Sequence, residues 1–417
     1  MSDRIQRTDV AVIGGGPAGL AAAAAAAEQG AQVTLLDRNP QLGGILNQCI
    51  HDGFGLHAFG EVLTGPEFAE RYVRRAADAG VRLESNAMVA HLAASGELVW
   101  TRTSRRARLR AGAVVLAMGC RERTRGMIRI PGCRPAGVYT AGTAQWLTNL
   151  ANVRIGRRIV ILGSGDIGLI MARRMTWEGA EVIAVIEKLP YPSGLPRNIN
   201  QCLLDYEIPL HLSHSVTRIH GRHRVERVTV SKYDEAGAPV PGSSFDIDCD
   251  TLLLSVGLIP ENELSRRAGV RLDRRTSGAE VDASYMTNVP GLFSCGNVLH
   301  IHDLADWAAE EGERAGAAAA AYAGGTAQLE EEERGERTPV HAGDGVRYVV
   351  PQSLAAAQGR ALLSLRVTEP RGKTKIEATA DGRTIGSIAV RKAHPATMVQ
   401  LPVEANGVAG PVEVSCS

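Results

Sequence analysis

Two short glycine runs carry the clearest chemistry in the sequence. Gly14-x-Gly16-x-x-Gly19 stands directly behind the apolar run at residues 10–13, and an acid, Asp37, follows about twenty residues on. In this pattern the first glycine permits a tight turn, the second lets backbone approach a pyrophosphate, and the third lets helix meet strand. Free N–H groups at the start of the helix hold the phosphates. Asp37 is then placed to accept a hydrogen bond from a ribose hydroxyl. The pattern returns about 150 residues later as Gly163-x-Gly165-x-x-Gly168 with Glu187. An acid at that place repels a 2′-phosphate, which favours NAD(H) over NADP(H). A second site that binds another adenine nucleotide, or nothing, is the alternative.

The elements around these glycines follow one grammar. Residues 10–13 read as a buried strand, 20–29 as a helix closed by Gly30, and 31–36 as a second strand, a β-α-β unit. Residues 158–162, 169–178 and 181–186 repeat it, with Gly179 ending the helix. Apolar runs at 113–118 and 251–256 end in Gly119 and Gly257, and 291–297 precedes a helix over about 304–323. The charged stretch Glu330-Glu331-Glu332-Glu333-Arg334 reads as a linker, and short alternating strands follow it, with Asp381-Gly382 as a turn signal. The expected fold class is α/β. A dinucleotide domain over 8–125 and 248–325 is split by a second one at 126–247, with a linker at 326–340 and a small all-β module at 341–417.

Composition sets the outer bounds. The chain has 417 residues, enough for two or three domains, and 46 basic against 45 acidic side chains leave a net charge of +1. That balance argues against nucleic acid or an anionic membrane as partner. Gly is in excess at 46 residues, which fits many close backbone approaches. Seven scattered Cys contain no C-x-x-C pair, so neither a disulfide framework nor a zinc site is expected. No secretory pattern is visible at the start and no run is long enough to span a bilayer, so the expectation is a cytoplasmic protein without an integral membrane segment.

Further stretches carry a resemblance. They are Gly43-Gly44-Ile45-Leu46-Asn47-Gln48-Cys49-Ile50-His51, Cys120-Arg121-Glu122-Arg123-Thr124-Arg125, Gly137-Val138-Tyr139-Thr140-Ala141-Gly142-Thr143-Ala144-Gln145 and Gly296-Asn297-Val298-Leu299-His300-Ile301-His302-Asp303. With the two fingerprints they resemble the two-dinucleotide-binding-domain flavoproteins, over roughly residues 8–325. Within that family they are similar to the branch of opine, sarcosine and cyanide-forming dehydrogenase subunits and of proteins associated with glycerol 3-phosphate dehydrogenases. The resemblance implies FAD on Gly14, Gly16, Gly19 and Asp37, with Gly43, Gly44 and Gly119 close to it. It implies that Asn297 after Gly296 binds the ribityl or phosphate, where relatives carry an acid. It implies that the helix start near Asp303 faces the flavin ring. NAD(H) would lie on Gly163, Gly165, Gly168 and Glu187. The chain would move electrons between NAD(H) and flavin inside a multi-subunit dehydrogenase for a small alcohol or amine, with a second dehydrogenase or oxidase subunit as partner.

The remaining chemistry is less local. Leu46 and His51 stand where a redox cysteine pair would be, so a dithiol reductase is disfavoured, while Cys49 alone offers a peroxidase-like alternative. A non-catalytic nucleotide-binding assembly subunit is the other alternative. His51 and His302 are candidate proton carriers, because histidine titrates near neutral pH. The same rings, with His57, His300 and Asp52, could instead hold backbone, flavin carbonyls or a partner. His211-x-x-His214 and His220-x-x-His223 look like ligand pairs, but an i, i+3 pair on a strand points to opposite faces, and no metal is expected. Residues 346–352, centred on Tyr348, read as an apolar strand for docking the partner.

Overall fold

The computed structural model describes residues 5–103, 105–325, 337–355 and 359–417. Two compact units share the chain. One is built from the residues up to Cys120 and from Pro260 onward, the other from Arg121–Ile259. The second unit therefore begins before residue 126 and ends beyond 247. The reason is the strand Thr251–Leu254, which pairs with Val138–Thr140 on one side and Arg158–Leu162 on the other. An apolar run cannot declare which sheet it will join.

In the first unit, five parallel strands run in the order Arg82–Glu84, Val33–Leu36, Gln6–Ile13, Arg105–Leu116 and Leu292–Ser294. Both faces of such a sheet are covered, so its strands are continuous apolar runs, and Val10 to Val12 have no exposed surface. The early half of Arg105–Leu116 pairs antiparallel with Glu97–Arg102, which pairs with Met88–Leu92. The fingerprint helix Pro17–Glu28 is mostly alanine, and this lets Ala305–Ala323 pack against it at backbone distance. A Cβ added at Gly312 would lie 2.1 Å from the Ala18 carbonyl oxygen, and one at Gly316 2.1 Å from that of Ala22.

The second unit carries five parallel strands in the order Val138–Thr140, Thr251–Leu254, Arg158–Leu162, Glu181–Ile186 and Leu210–His211. Three antiparallel strands, His214–His220, Arg227–Lys232 and Phe245–Asp248, form its other sheet. A left-handed turn at Ser213 (φ 56°) folds His214 back onto His211, with ring centroids 5.7 Å apart. The two rings thus meet rather than diverge, and Phe245 packs on both. Among the described residues no third ligand-type side chain joins them.

From Arg337 onward the first unit adds two small β-sheets around an apolar cluster that includes Leu363, Leu365, Ile376 and Val414. One is five-stranded, the other three-stranded. The first strand spans Arg337–Ala342, so the end of the expected linker is already sheet. The charged stretch before it lies outside the described residues. Asp381 and Gly382 both have positive φ and turn Thr374–Ala380 into Arg383–Val390. The strand Val346–Val350 is no docking surface. Tyr348 and Val350 are 7% and 2% exposed and belong to the main apolar core of the first unit.

Candidate functional site

The first fingerprint folds so that two of its glycines are structural and one is open. Gly14 has φ 108°, and a Cβ there would stand 2.3 Å from the Ala117 oxygen. A Cβ at Gly19 would fall 1.8 Å from the Gly14 oxygen. At Gly16, the N-cap of the helix, an added Cβ meets nothing within 4 Å, and no side chain caps the helix. The helix start thus has free space beside Gly16 and no side-chain cap, which suits a phosphate. Gly43 and Gly44, both at positive φ, fold over this turn: Gly43 N–H donates to the Gly15 oxygen at 2.7 Å, and a Cβ on Gly44 would lie 3.0 Å from Gly16 Cα. Asp37, buried, accepts from Gly15 N (2.6 Å, Oδ2) and Asn39 N (2.7 Å, Oδ1). Gly119, at φ 70°, also has open space where a Cβ would be.

The second fingerprint repeats this device in its own unit. Gly163 and Gly168 are blocked by Ser255 and by the Gly163 oxygen, whereas an added Cβ at Gly165 meets only Ser255 Oγ, at 3.4 Å. Glu187 accepts from Ser164 N (2.9 Å) and Leu189 N (2.9 Å), the same two positions relative to glycines and acid that Asp37 uses. Here two hydroxyls are added: Ser164 Oγ and Ser193 Oγ both donate to Glu187 Oε2. The carboxylate is 5% exposed and well furnished with donors before any ligand arrives.

The segment 296–303 returns to the first fingerprint. A Cβ on Gly296 (φ 73°) would lie 2.6 Å from Ala18 Cβ. Asn297 is held at both ends of its amide, Oδ1 accepting from His302 N at 2.9 Å and Nδ2 reaching Cys120 Sγ at 3.7 Å. Glu311, from the helix Ala305–Ala323, accepts from Gly296 N (2.7 Å) and from His300 Nε2 (2.9 Å). His302 Nε2 lies 3.5 Å from the same carboxylate, and His302 Nδ1 donates to the His300 carbonyl. Burial would raise the Glu311 pKa, but the two imidazoles outweigh it and hold the carboxyl well below the usual carboxylate range. Burial lowers the His300 pKa despite the neighbouring carboxylate.

This geometry sorts the candidate proton carriers. His302 is only 3% exposed in its side chain, and both ring nitrogens face internal partners, so it supports the segment rather than meeting a substrate. Asp303 likewise commits its carboxylate inside the chain, to Arg366 and to Met398 N. Cys49 donates from Sγ to the Ile45 oxygen at 3.3 Å, and burial pushes its thiol up to about 12, which works against the thiolate a peroxidase cysteine needs. His51 is half-buried, its ring tilted against Phe54 with centroids 5.2 Å apart and bonded through Nδ1 to the Asp52 carbonyl. Asp306, not expected from sequence, fixes the neighbouring turn by accepting from Gly55, His57 and Ala58 N–H groups. Glu311 was also missed. Its signal was an acid on the buried stripe marked by Ala308, Gly312, Ala315 and Ala319.

Two open glycine turns, each followed by a buried acid, stand on two parallel sheets, the arrangement of a chain with two dinucleotide-binding folds. The chain belongs to the family described as pyridine nucleotide-disulphide oxidoreductase, whose model matches residues 8–312. It is similar to one subunit of an opine oxidase from Agrobacterium tumefaciens, 26% identical over 308 residues, covering 69% of this chain and 61% of that one. It is also similar to a hydrogen cyanide synthase subunit from Pseudomonas protegens, 27% identical over 282 residues, covering 62% of this chain and 58% of that one. The chain thus spans about three fifths of the length of these relatives. Among solved structures, thioredoxin reductase from T. acidophilum shares the fold with a TM-score of 0.62 at 24% identity, over 77% of this chain and 99% of that one. Among the described residues no helix is long and apolar enough to cross a membrane.

Proposed function

We propose that this chain is the FAD-carrying, NAD(H)-linked subunit of a multi-subunit dehydrogenase acting on a small alcohol or amine. In this reading the first unit is the FAD domain and Arg121–Ile259 the NAD domain. The observation that carries it is the duplicated device, a single open glycine at the helix start with a buried acid tied to the same two backbone positions in each unit. Bound FAD would supply the two-electron redox centre. Gly16, Gly43 and Gly44 would offer backbone to its pyrophosphate, Asp37 its remaining acceptor capacity to a ribose, and Asn297 an amide to the ribityl side. Glu187 would take a ribose of NAD and repel a 2′-phosphate, since Lys188 beside it is engaged over the Tyr233 ring at 4.7 Å.

The subunit reading rests on the family branch and on the site. The relatives are by name subunits of larger enzymes, an opine oxidase, a hydrogen cyanide synthase and a glutamate synthase. The buried Cys49, whose thiol is held by the Ile45 oxygen, speaks against the stand-alone peroxidase reading. The test is purification from the native host with a tag. A yellow chain that NADH reduces, eluting with a second subunit needed for substrate-driven flavin reduction, meets the proposal. Oxidation of a glycerol phosphate, amine or opine by the isolated chain at enzymatic rates overturns the subunit reading.

A further inference from the structure

The structure assigns a positioning role to Arg366, a residue of the C-terminal β-sheets, in the flavin site. We propose that it fixes the segment 296–303 against the first fingerprint, so that the β-module braces the cofactor site from behind that segment. The inference rests on the reading of that fingerprint as the FAD site.

Arg366 is 8% exposed and every N–H of its guanidinium is used. Nε donates to Tyr348 Oη at 3.1 Å, Nη1 to the carbonyls of Pro395 (3.2 Å) and Ala396, and Nη2 to the Ile301 carbonyl (3.0 Å) and the Asp303 carboxylate. A guanidinium has five donors in a fixed fork, and here all five are placed. Three hold the module to itself and two reach the segment. Met398 N closes the second oxygen of Asp303 at 2.6 Å, and the Tyr348 ring lies 6.1 Å from that of His300. On the opposite side of the segment, Glu311 takes Gly296 N and His300, and Asn297 takes His302 N. The segment is therefore clamped between one helix carboxylate and one module guanidinium. Gly296 and Asn297 lie at the end that abuts Ala18 of the fingerprint helix. Nothing in this arrangement needs Arg366 to touch the cofactor. It sets where Asn297 and Gly296 stand.

A lysine keeps the charge but offers a point ammonium in place of the fork, so Arg366→Lys should relax the clamp without burying a lone carboxylate. The variant is expected to lose FAD at least tenfold faster than wild type. The flavin it retains should show a changed visible circular-dichroism spectrum and a shifted midpoint potential, which a purely structural weakening would not produce. Arg360→Lys, on the same strand but paired at the surface with Glu404, is the control and should behave as wild type. A folded Arg366→Lys protein with native FAD retention, spectrum and potential overturns the inference. Should it not fold, the wild-type protein serves. By linkage, FAD must in turn slow amide hydrogen exchange at Ala396 and Met398. Exchange there that ignores FAD also overturns it. A wild-type protein that takes up no FAD overturns the site reading itself, and this inference with it.

Discussion

Gly16→Val separates the demands of folding from those of the ligand. Gly16 sits at φ −80°, ψ −174°, extended backbone that valine adopts readily. An added Cβ there meets no atom within 4 Å, so the folded apoprotein should change in stability by no more than about 1 kcal/mol. At Gly19 the same Cβ would lie 1.8 Å from a carbonyl oxygen, and Gly19→Val should cost about 3 kcal/mol or more through forced backbone movement. The ligand experiences the reverse. Valine at residue 16 fills the space in front of the uncapped helix start. Losing two charge-assisted backbone bonds at about 1.5–3 kcal/mol each removes about 3–6 kcal/mol of FAD binding, roughly two to four orders of magnitude. Flavin-to-protein absorbance ratios report the ligand, and melting of the apo forms reports the fold. Full flavin occupancy in Gly16→Val refutes the assignment of this turn. An apo melting point lowered as far as that of Gly19→Val refutes the claim that the space is free.

Three further outcomes are expected. NADH should reduce the flavin at least tenfold faster than NADPH, and Glu187→Gln should narrow that ratio; equal rates with the wild-type chain remove Glu187 from cofactor choice. Cys49→Ser should leave NADH-driven flavin reduction within about twofold of wild type, since its thiol stays protonated at neutral pH, and a hundredfold loss would restore the redox-cysteine reading. Glu311 and His300 both have lowered pKa values in the folded chain, so the unfolded chain binds more protons below about pH 6.5 and stability should fall as pH drops. Glu311→Gln should cost about 3 kcal/mol near neutral pH and flatten the fall below about pH 4.5, read from urea midpoints against pH; an unchanged slope removes this cluster from acid sensitivity.

The glycine turns and their acids were legible because the pattern is local: turn, helix start and buried acid lie within one β-α-β unit. The fold class and the helix before residue 323 followed from the same periodicities. What escaped the sequence is pairing at long range. Thr251–Leu254 reads like residues 113–116, and only the sheet it enters shows that the second unit continues to Ile259. Asp303 reads as a helix-start acid, but its partners, Arg366 and Met398, lie far along the chain. Tyr348 looks like a residue for an absent partner, and its partner is the chain's own core. The His211 and His214 rings meet because a single left-handed residue interrupts the strand, which spacing alone does not reveal.

The close contact of Pro17–Glu28 with Ala305–Ala323 bears on how the protein is made. The fingerprint helix leaves the ribosome early, but the glycine-lined face that covers it, at Gly312 and Gly316, arrives almost three hundred residues later. At about 5–20 residues per second this is a wait of roughly 15–60 s, during which the strand Arg105–Leu116 also lacks its neighbour Leu292–Ser294. The unit Arg121–Ile259 has no such delay, since all five strands of its parallel sheet are in hand by Ile259. The first unit should thus complete its fingerprint only after Arg121–Ile259 has been made, once Ala305–Ala323 is available. During that interval the alanine helix is a natural client for a chaperone.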